Sequence, residues 1–468
     1  MSREGNLAKN TVILAIGTFL PKVAGLIVLP AVTAGLTKAD YGTFDLITTL
    51  VALFLPVVTL QIHSAAFRFL IDCRGKKKET DEIISNIVGF ITPTSLIALL
   101  ILFFALHQFS LPVRILVCVY YFADIFLAAV QQIVRGLSYN KMYSTSSVIQ
   151  SFTNMVLVLV FVTGFKQGMI GALLATTVAT MAGVGYLMMK IGIFKSIHFS
   201  YINGKMIKEM LKYSWPIVPN SLSNWVLSTS DRLVLVTFMG TPASAVYAVA
   251  NKIPALITSL QGTFVFAWQE NATLASKDDD KGEYYTHMFS GILRIIAGGT
   301  ALLVAATPIL FKILIRGDYG DAYVHMPILF MAILCSCIAS YMGGIYVAHK
   351  RTVNIGITTM VSAVINLVID LVFVTRIGIF AASISTLVSY LFLMIYRMVD
   401  AKKFEEIHYN LLEIFSISGI LIVMCVICFM NQFILNILNI VIGVIFAAVI
   451  NRSILVSMLG KFKKKLGK

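Results

Sequence analysis

Apolar runs of about 20 residues recur from end to end of this chain, the length an α-helix needs to cross roughly 30 Å of hydrocarbon at about 1.5 Å per residue. No other feature constrains the fold so strongly. In lipid every backbone polar group must find its partner inside the segment, and a closed barrel would read as short alternating strands rather than as long continuous runs. With 58% hydrophobic and 13% charged residues and a mean hydropathy of +0.87 over 468 residues, the chain lies outside the composition of soluble globular domains. The predicted fold class is therefore an all-α polytopic membrane protein.

Spanning runs are predicted near 10–36, 41–70, 82–107, 111–136, 142–164, 168–191, 213–238, 242–269, 284–314, 322–348, 353–376, 378–400, 411–430 and 432–456, about fourteen transmembrane helices. Pro21, Pro30, Pro56, Pro216, Pro219, Pro254 and Pro308 interrupt or bend several of them. The first run holds Lys22 and lacks a small-residue cleavage site, so it reads as a retained helix rather than a signal peptide.

Loop charge tests this map. Arg3, Lys9, Arg74 to Lys78, Arg135 and Lys141, Lys190 to Lys212, Lys277 and Lys281, Lys350-Arg351, Arg397 with Lys402-Lys403, and Lys461 to Lys468 all fall on one side. That is about 25 basic residues against about six opposite, Lys38, Arg114, Lys166, Lys312, Arg316 and Arg376. The bias places both termini in the cytoplasm of a cell membrane. It also accounts for the net charge of +15 without a nucleic-acid partner, since the basic residues are dispersed among short loops rather than gathered on one face.

The longest segment between spans includes the amphipathic stretch Met206-Ile-Lys-Glu-Met-Leu-Lys212, expected at the membrane interface. It divides the chain into an N-terminal lobe of six helices (1–191), a linker (192–212), a C-terminal lobe of six helices (213–403), and a final helix pair with a basic tail (404–468). Five of the six cysteines sit inside apolar runs, and Cys425-x-x-Cys428 reads as packing because no partner ligands accompany it. The paired glycines Gly298-Gly299 and Gly343-Gly344 read as close helix packing.

An ionisable side chain at bilayer depth costs about 2.5–3.5 kcal/mol on insertion scales, so it faces a cavity or a partner. The deep set is Lys22, Asp45, Arg68, Asp124, Asp231, Arg232, Lys252 and Arg294. Lys22 either pairs with Asp45 or Asp124 or lines a cavity as a cation. Asp231 and Arg232 point about 100° apart and do not share a face. Cations outnumber carboxylates and come from both lobes, which predicts a shared cavity of positive field suited to an anion such as a diphosphate. Nucleotide-binding, metalloprotease and nucleophile-elbow motifs are missing from the sequence, so no enzymatic activity is expected.

Several segments together resemble the polysaccharide-transporter (Wzx-like) oligosaccharide flippase family, within the superfamily that also holds MATE multidrug extruders and MurJ lipid II flippases. They are Asn10-Thr11, Leu36-Thr-Lys-Ala-Asp-Tyr41-Gly42-Thr-Phe44, Arg68, Ser230-Asp231-Arg232-Leu-Val, and Tyr247-Ala-Val-Ala-Asn-Lys252-Ile-Pro254. The resemblance implies two pseudo-symmetric six-helix lobes around a central cavity plus a C-terminal helix pair. Its implied substrate is an undecaprenyl-diphosphate-linked oligosaccharide, held at the diphosphate by Lys22, Arg68, Arg232, Lys252 and Arg294. It implies no cofactor. Asp45, Asp124 and Asp231 are the candidate carriers of a coupling ion, H+ or Na+. A monomer working among membrane lipids, and beside the polymerase and glycosyltransferases of the same route, is the expected arrangement. A MATE-type proton- or sodium-coupled antiporter is the alternative.

Overall fold

The structure, a computed structural model, describes residues 3–276, 278–452 and 456, with side chains from residue 16 onward except at 259, 260, 263, 264, 266, 267 and 270. Lys277 and the basic stretch Lys461 to Lys468 lie outside the described residues, as do the side chains of Arg3, Lys9, Asn10 and Thr11. Every regular element among the described residues is helical. Among the described residues, twelve segments are long and apolar enough to cross a membrane, so the predicted all-helical membrane class holds, with twelve of the fourteen runs meeting that measure. Of the two remaining runs, the seventh is a single helix whose polar residues, Asn220, Ser221, Ser223, Asn224, Ser228, Ser230, Asp231 and Arg232 among them, dilute its hydropathy. The eighth is broken at Ile253-Pro254.

The chain forms two compact units, one reaching from the N-terminus to Ala245 and taking in Arg316–Asp318, the other comprising Val246–Ile315 and Tyr319 onward. The first unit contains α1 (Arg3–Gly35), α2 (Lys38–Thr59), α3 (Ile62–Asp72), α4 (Lys77–Ala105), α5 (Leu111–Gly136), α6 (Asn140–Val158) and α7 (Gly168–Ile191). It continues through the one-turn α8 (Ile193–Ser196), α9 (Gly204–Ser214), α10 (Ile217–Met239) and the start of α11 (Thr241–Lys252).

The predicted run 41–70 is two helices, α2 and α3, because Leu60 and Gln61 both adopt left-handed backbone angles, φ 45° and 58°. For residues other than glycine each such position costs of order 1–3 kcal/mol and needs compensation. Hydroxyl groups supply it. Ser214 Oγ donates to the Leu60 carbonyl (2.8 Å), the Gln61 N–H donates to Thr59 Oγ1 (3.3 Å), and Gln61 Nε2 donates to Ser221 Oγ (3.0 Å). A freed backbone group at membrane depth is tolerated only when satisfied in this way.

The amphipathic stretch forms α9, but its apolar face turns into protein. Met210 is fully buried in a cluster with Ile62, Leu70 and Ile87, and Met206, Ile207 and Leu211 pack beside it, leaving Lys205, Lys208 and Lys212 exposed. Asn86 on α4 ties down the preceding segment, accepting from the Asn203 N–H (2.7 Å) and donating to the Tyr201 carbonyl (2.9 Å). At the start of α2, Gly42 meets α11 so closely that any Cβ would overlap the Thr241 carbonyl oxygen. Thr37 caps this helix through the Asp40 N–H (3.1 Å).

The second unit contains the rest of α11 with α12 (Ala255–Ala275), α13 (Lys281–Leu314), α14 (Met326–Ala348), α15 (Thr352–Ile377), α16 (Ile379–Ala401), α17 (Leu411–Met430) and α18 (Phe433–Ile450). Pro254, which has no N–H to give, separates α11 from α12. Trp268 is buried where its indole stacks on Tyr341, with ring centroids 4.4 Å apart, and donates to the Tyr341 carbonyl (2.9 Å). Gly344 leaves the space that the indole fills, and Gly298 faces Asn451 and Ala447 of α18. One glycine of each pair is thus a close-packing glycine as the sequence suggests, whereas a Cβ at Gly299 would meet open space and one at Gly343 only the Arg397 guanidinium.

Candidate functional site

Residues of α1, α5, α6 and α7 line an open cavity of about 380 Å³ in the first unit, within the size range of small-molecule sites. Two features of the sequence shape it. Gly17 lets α1 approach α6 so tightly that a Cβ there would lie 2.5 Å from Ser144 Oγ. Beyond this contact, Pro21 and Lys22 of α1 and the polar side of α6 line the cavity. That side presents Tyr143, Ser147, Gln150, Ser151 and Asn154, residues three or four apart and therefore on one face.

The amides are anchored from behind. Gln150 Nε2 donates to Thr180 Oγ1 (3.2 Å), and Asn154 Oδ1 accepts from Thr176 Oγ1 (3.3 Å). Gln131 of α5 and Thr18 of α1 complete the polar lining. Asp124 lies seven residues before Gln131 on α5, two turns away on the same face. No ion pair to Asp124 forms among the described residues. Near the shallow end of the lining, the Arg135 guanidinium sits 5.6 Å from the centroid of the Tyr143 ring and 5.0 Å from that of Phe67, and Arg135 Nη1 donates to Gln132 Oε1 (3.2 Å). The arrangement is a cation among hydroxyls and amides, able to neutralise an oxyanion and to exchange hydrogen bonds with a polyol.

The other predicted residues are placed elsewhere. Arg232 Nη1 reaches Asp45 Oδ1 of α2 at 2.9 Å, a pair in which the aspartate side chain is 6% exposed. Asp231 is buried one position earlier on α10, in keeping with the divergent directions expected of the two. Arg68 is exposed on α3 and pairs with Asp72 one turn on, at 2.6 Å. Arg294 of α13 pairs through Nε with Glu413 at the start of α17. With the Asn451 Nδ2 donation to the Arg294 carbonyl (3.2 Å), this fastens the last helix pair to α13. Lys252 ends α11, half-buried, just before the Pro254 break. Of the five cations proposed for one cavity, Lys22 alone lines the cavity described above.

Two features escape a search for charge alone. The polar face of α6 is uncharged, and its signal in the sequence is a three-to-four-residue period of Ser, Gln and Asn inside an apolar run. Asp370 of α15 is buried, accepts from Ser385 Oγ (2.6 Å), and lies one turn from Asn366, whose Nδ2 donates to the same Ser385 Oγ (3.2 Å). Tyr247 and Thr386 share a hydrogen bond (3.0 Å) in the same unit. The signal for this cluster is Asn366-x-x-x-Asp370 inside a spanning run. Among the described residues, no three His, Cys, Asp or Glu side chains gather in a group able to hold a metal ion.

Residues 7–268 match a family model described as polysaccharide biosynthesis protein. No curated protein matches the sequence. Among solved structures, the chain is similar to a lipid II flippase MurJ in an inward closed conformation, with a TM-score of 0.71 and 16% identity over 95% of this chain and 100% of that one. It is also similar to an inward-facing multidrug resistance MATE family transporter of the MOP superfamily, with a TM-score of 0.65 and 15% identity over 84% of this chain and 95% of that one. A MOP superfamily transporter from Pyrococcus furiosus, whose binding pocket is described as having reverse polarity, aligns with a TM-score of 0.57 and 16% identity over 84% and 95% of the two chains.

Proposed function

We propose that this chain, which belongs to the polysaccharide biosynthesis protein family, is a flippase that carries polyprenyl-diphosphate-linked oligosaccharide from the cytoplasmic to the outer leaflet of the cell membrane by alternating access, for cell-surface polysaccharide assembly. The observation that carries the reading is the cavity in which Lys22, on a helix long and apolar enough to cross a membrane, stands among hydroxyls and amides. A sugar headgroup and two phosphates cannot cross hydrocarbon unaided, because each polar group would lose its water without replacement. A lining of hydroxyl and amide groups offers substitutes for those hydrogen bonds, and an ammonium offsets phosphate charge.

A carboxylate-lined pocket would suit organic cations; this one is built the other way. Outward movement of uncompensated negative charge is favoured by an inside-negative potential, by about 2.3 kcal/mol per charge per 100 mV. Asp124, on the cavity face of α5, is the carboxylate best placed to couple a proton or sodium ion to the movement. No bond is made or broken in this cycle, and the protein's work is solvation, orientation and conformational exchange.

The test is reconstitution in liposomes with a fluorescent undecaprenyl-diphosphate oligosaccharide, reading its arrival in the far leaflet for wild type and Lys22→Gln. Transport that falls at least tenfold in the variant is expected. Failure of the wild type to move any such lipid, together with proton-driven export of organic cations, overturns the reading in favour of a MATE-type antiporter.

A further inference from the structure

A second pocket of the first unit lies between α2, α4 and α5. Its volume is about 280 Å³, and of its thirteen lining side chains only Tyr121 carries a polar atom. Ile47, Leu106 and Val117 pack together at one end. From Ile47 to Val58 the α2 wall is about 16 Å long by helical rise. Phe54, Val57 and Ile101 of the lining are exposed on helices long and apolar enough to cross a membrane, so the way in leads from lipid.

At the other end two hydroxyls stand without a partner. Tyr121 is 2% exposed, and its hydroxyl makes no hydrogen bond among the described residues. Ser95 of α4 is fully buried, and its Oγ makes none among them either. The register of the two helices brings these groups together. Arg114 Nε of α5 donates to the Phe103 carbonyl of α4 (2.9 Å), and Cys118 Sγ donates to the Leu99 carbonyl (3.9 Å). Continued along this antiparallel pair, Tyr121 is level with Leu96, next to Ser95. Ser95 also lies one turn before Ala98 of the lining, on the same face of α4. Buried polar groups are ordinarily satisfied. Two orphan hydroxyls side by side at the end of an apolar pocket therefore mark a place for one oxygen of a ligand.

Depth and charge narrow the class of that ligand. Tyr121 lies about 15 Å by helical rise from the start of α5 at Leu111, near the middle of a roughly 30 Å hydrocarbon core. A phospholipid keeps its oxygens at the interface and brings only methylenes to this depth. No charged side chain lines the pocket, so an ionised carboxylate or ammonium would enter uncompensated. A single hydrocarbon chain with one uncharged oxygen fits, and an alcohol can accept from one of the two hydroxyls while donating to the other.

We infer that α2, α4 and α5 form a binding site for a neutral single-chain amphiphile, a long-chain alcohol whose oxygen meets Tyr121 and Ser95 and whose chain fills the pocket toward Leu106. The site is distinct from the Lys22 cavity and does not depend on the flippase reading.

The experiment photolabels the full chain in lipid nanodiscs with decanol carrying a mid-chain diazirine, and in parallel with the diazirine-bearing decane. Labelled residues are mapped by peptide mass spectrometry, with yields normalised to the label on the nanodisc lipid. The alcohol is expected to label lining residues of α2 and α4 about fivefold more than the alkane, the value of one net hydrogen bond. Tyr121→Phe combined with Ser95→Ala is expected to bring the two yields together. Because the hydroxyls removed have no partner to lose, the Tm of this variant should equal or exceed that of wild type, which separates a lost contact from a lost fold. Equal yields of alcohol and alkane in wild type, labelling confined to residues outside the lining, or a preference that survives the double substitution overturns the inference. A Tm well below wild type would show that the hydroxyls are partnered and overturns it as well.

Discussion

Replacing Asp45 by Asn withdraws the carboxylate from Arg232 without changing the volume of the side chain. At the observed 2.9 Å and an effective dielectric near 20, the gross attraction is about 6 kcal/mol, most of it offset by the desolvation of both groups. The loss on removing one partner of a buried pair is about 3–5 kcal/mol, because the other charge stays behind. Here the lower end applies. Arg232 keeps 21% of its side chain exposed, and Asp45 Oδ2 makes no hydrogen bond, so the pair is single-pronged. A loss of about 3 kcal/mol corresponds to a drop in Tm of roughly 6–12 °C for a unit of this size. Trp225 donates to the Thr49 carbonyl (3.2 Å) one turn along α2 from Asp45, so it is one of the three tryptophans whose fluorescence follows unfolding of the purified protein in detergent during a thermal ramp. Adding Arg232→Gln to Asp45→Asn should recover at least half of the loss. Strict additivity of the two single effects, within about 0.5 kcal/mol, would refute the claim that the pair is coupled.

Three further outcomes follow from other parts of the molecule. Gly42→Ala places a methyl group against the Thr241 carbonyl oxygen and should destabilise the first unit by about 1–3 kcal/mol, read as a lowered Tm, whereas Gly25→Ala, with open space around it, should not. Arg294→Gln should leave flipping within about twofold of wild type while Lys22→Gln lowers it at least tenfold, because Arg294 is engaged with Glu413; equal losses in the liposome assay would return Arg294 to the substrate path. Burial lowers the pKa of His349 below the ordinary imidazole value, with Glu405 opposing and Lys281 and Arg351 assisting. The folded state therefore binds its proton later than the unfolded one, and His349 costs no stability above about pH 6.5 but subtracts from it as the pH falls below that value. His349→Gln should flatten the dependence of Tm on pH between about 6.5 and 5, and an unchanged slope would count against this origin.

What the sequence discloses about this protein divides along a physical line. Spanning runs and their charge bias are properties of single segments against a uniform solvent, so the helical class and most of the helices could be read directly. The breaks could not be read as easily. Pro254 marks its own, but nothing in Leu60-Gln61 announces left-handed backbone, because the hydroxyls that compensate it come from Ser214 and Ser221, more than 150 positions away. The same nonlocality governs the charges. Intramembrane ionisable residues were identifiable one by one, yet their roles depend on partners from other helices. Arg232 meets Asp45 and Arg294 meets Glu413, while Lys22 lines the cavity of the first unit.

This redistribution changes what recognition must rest on. Were five cations gathered at one site, affinity for a diphosphate would dominate, and any sugar attached to it would be carried along with little discrimination. With Lys22 among neutral amides and hydroxyls, a larger share of the binding falls to hydrogen bonds, which are directional and lose most when a donor or acceptor is mismatched. Weak electrostatic hold also favours release, since a substrate bound tightly by several charges in one state could not leave in the other. On the flippase reading proposed above, a carrier that lets go of a dianionic headgroup on every cycle is better served by one ammonium and an oriented polar face than by a cluster of guanidinium groups.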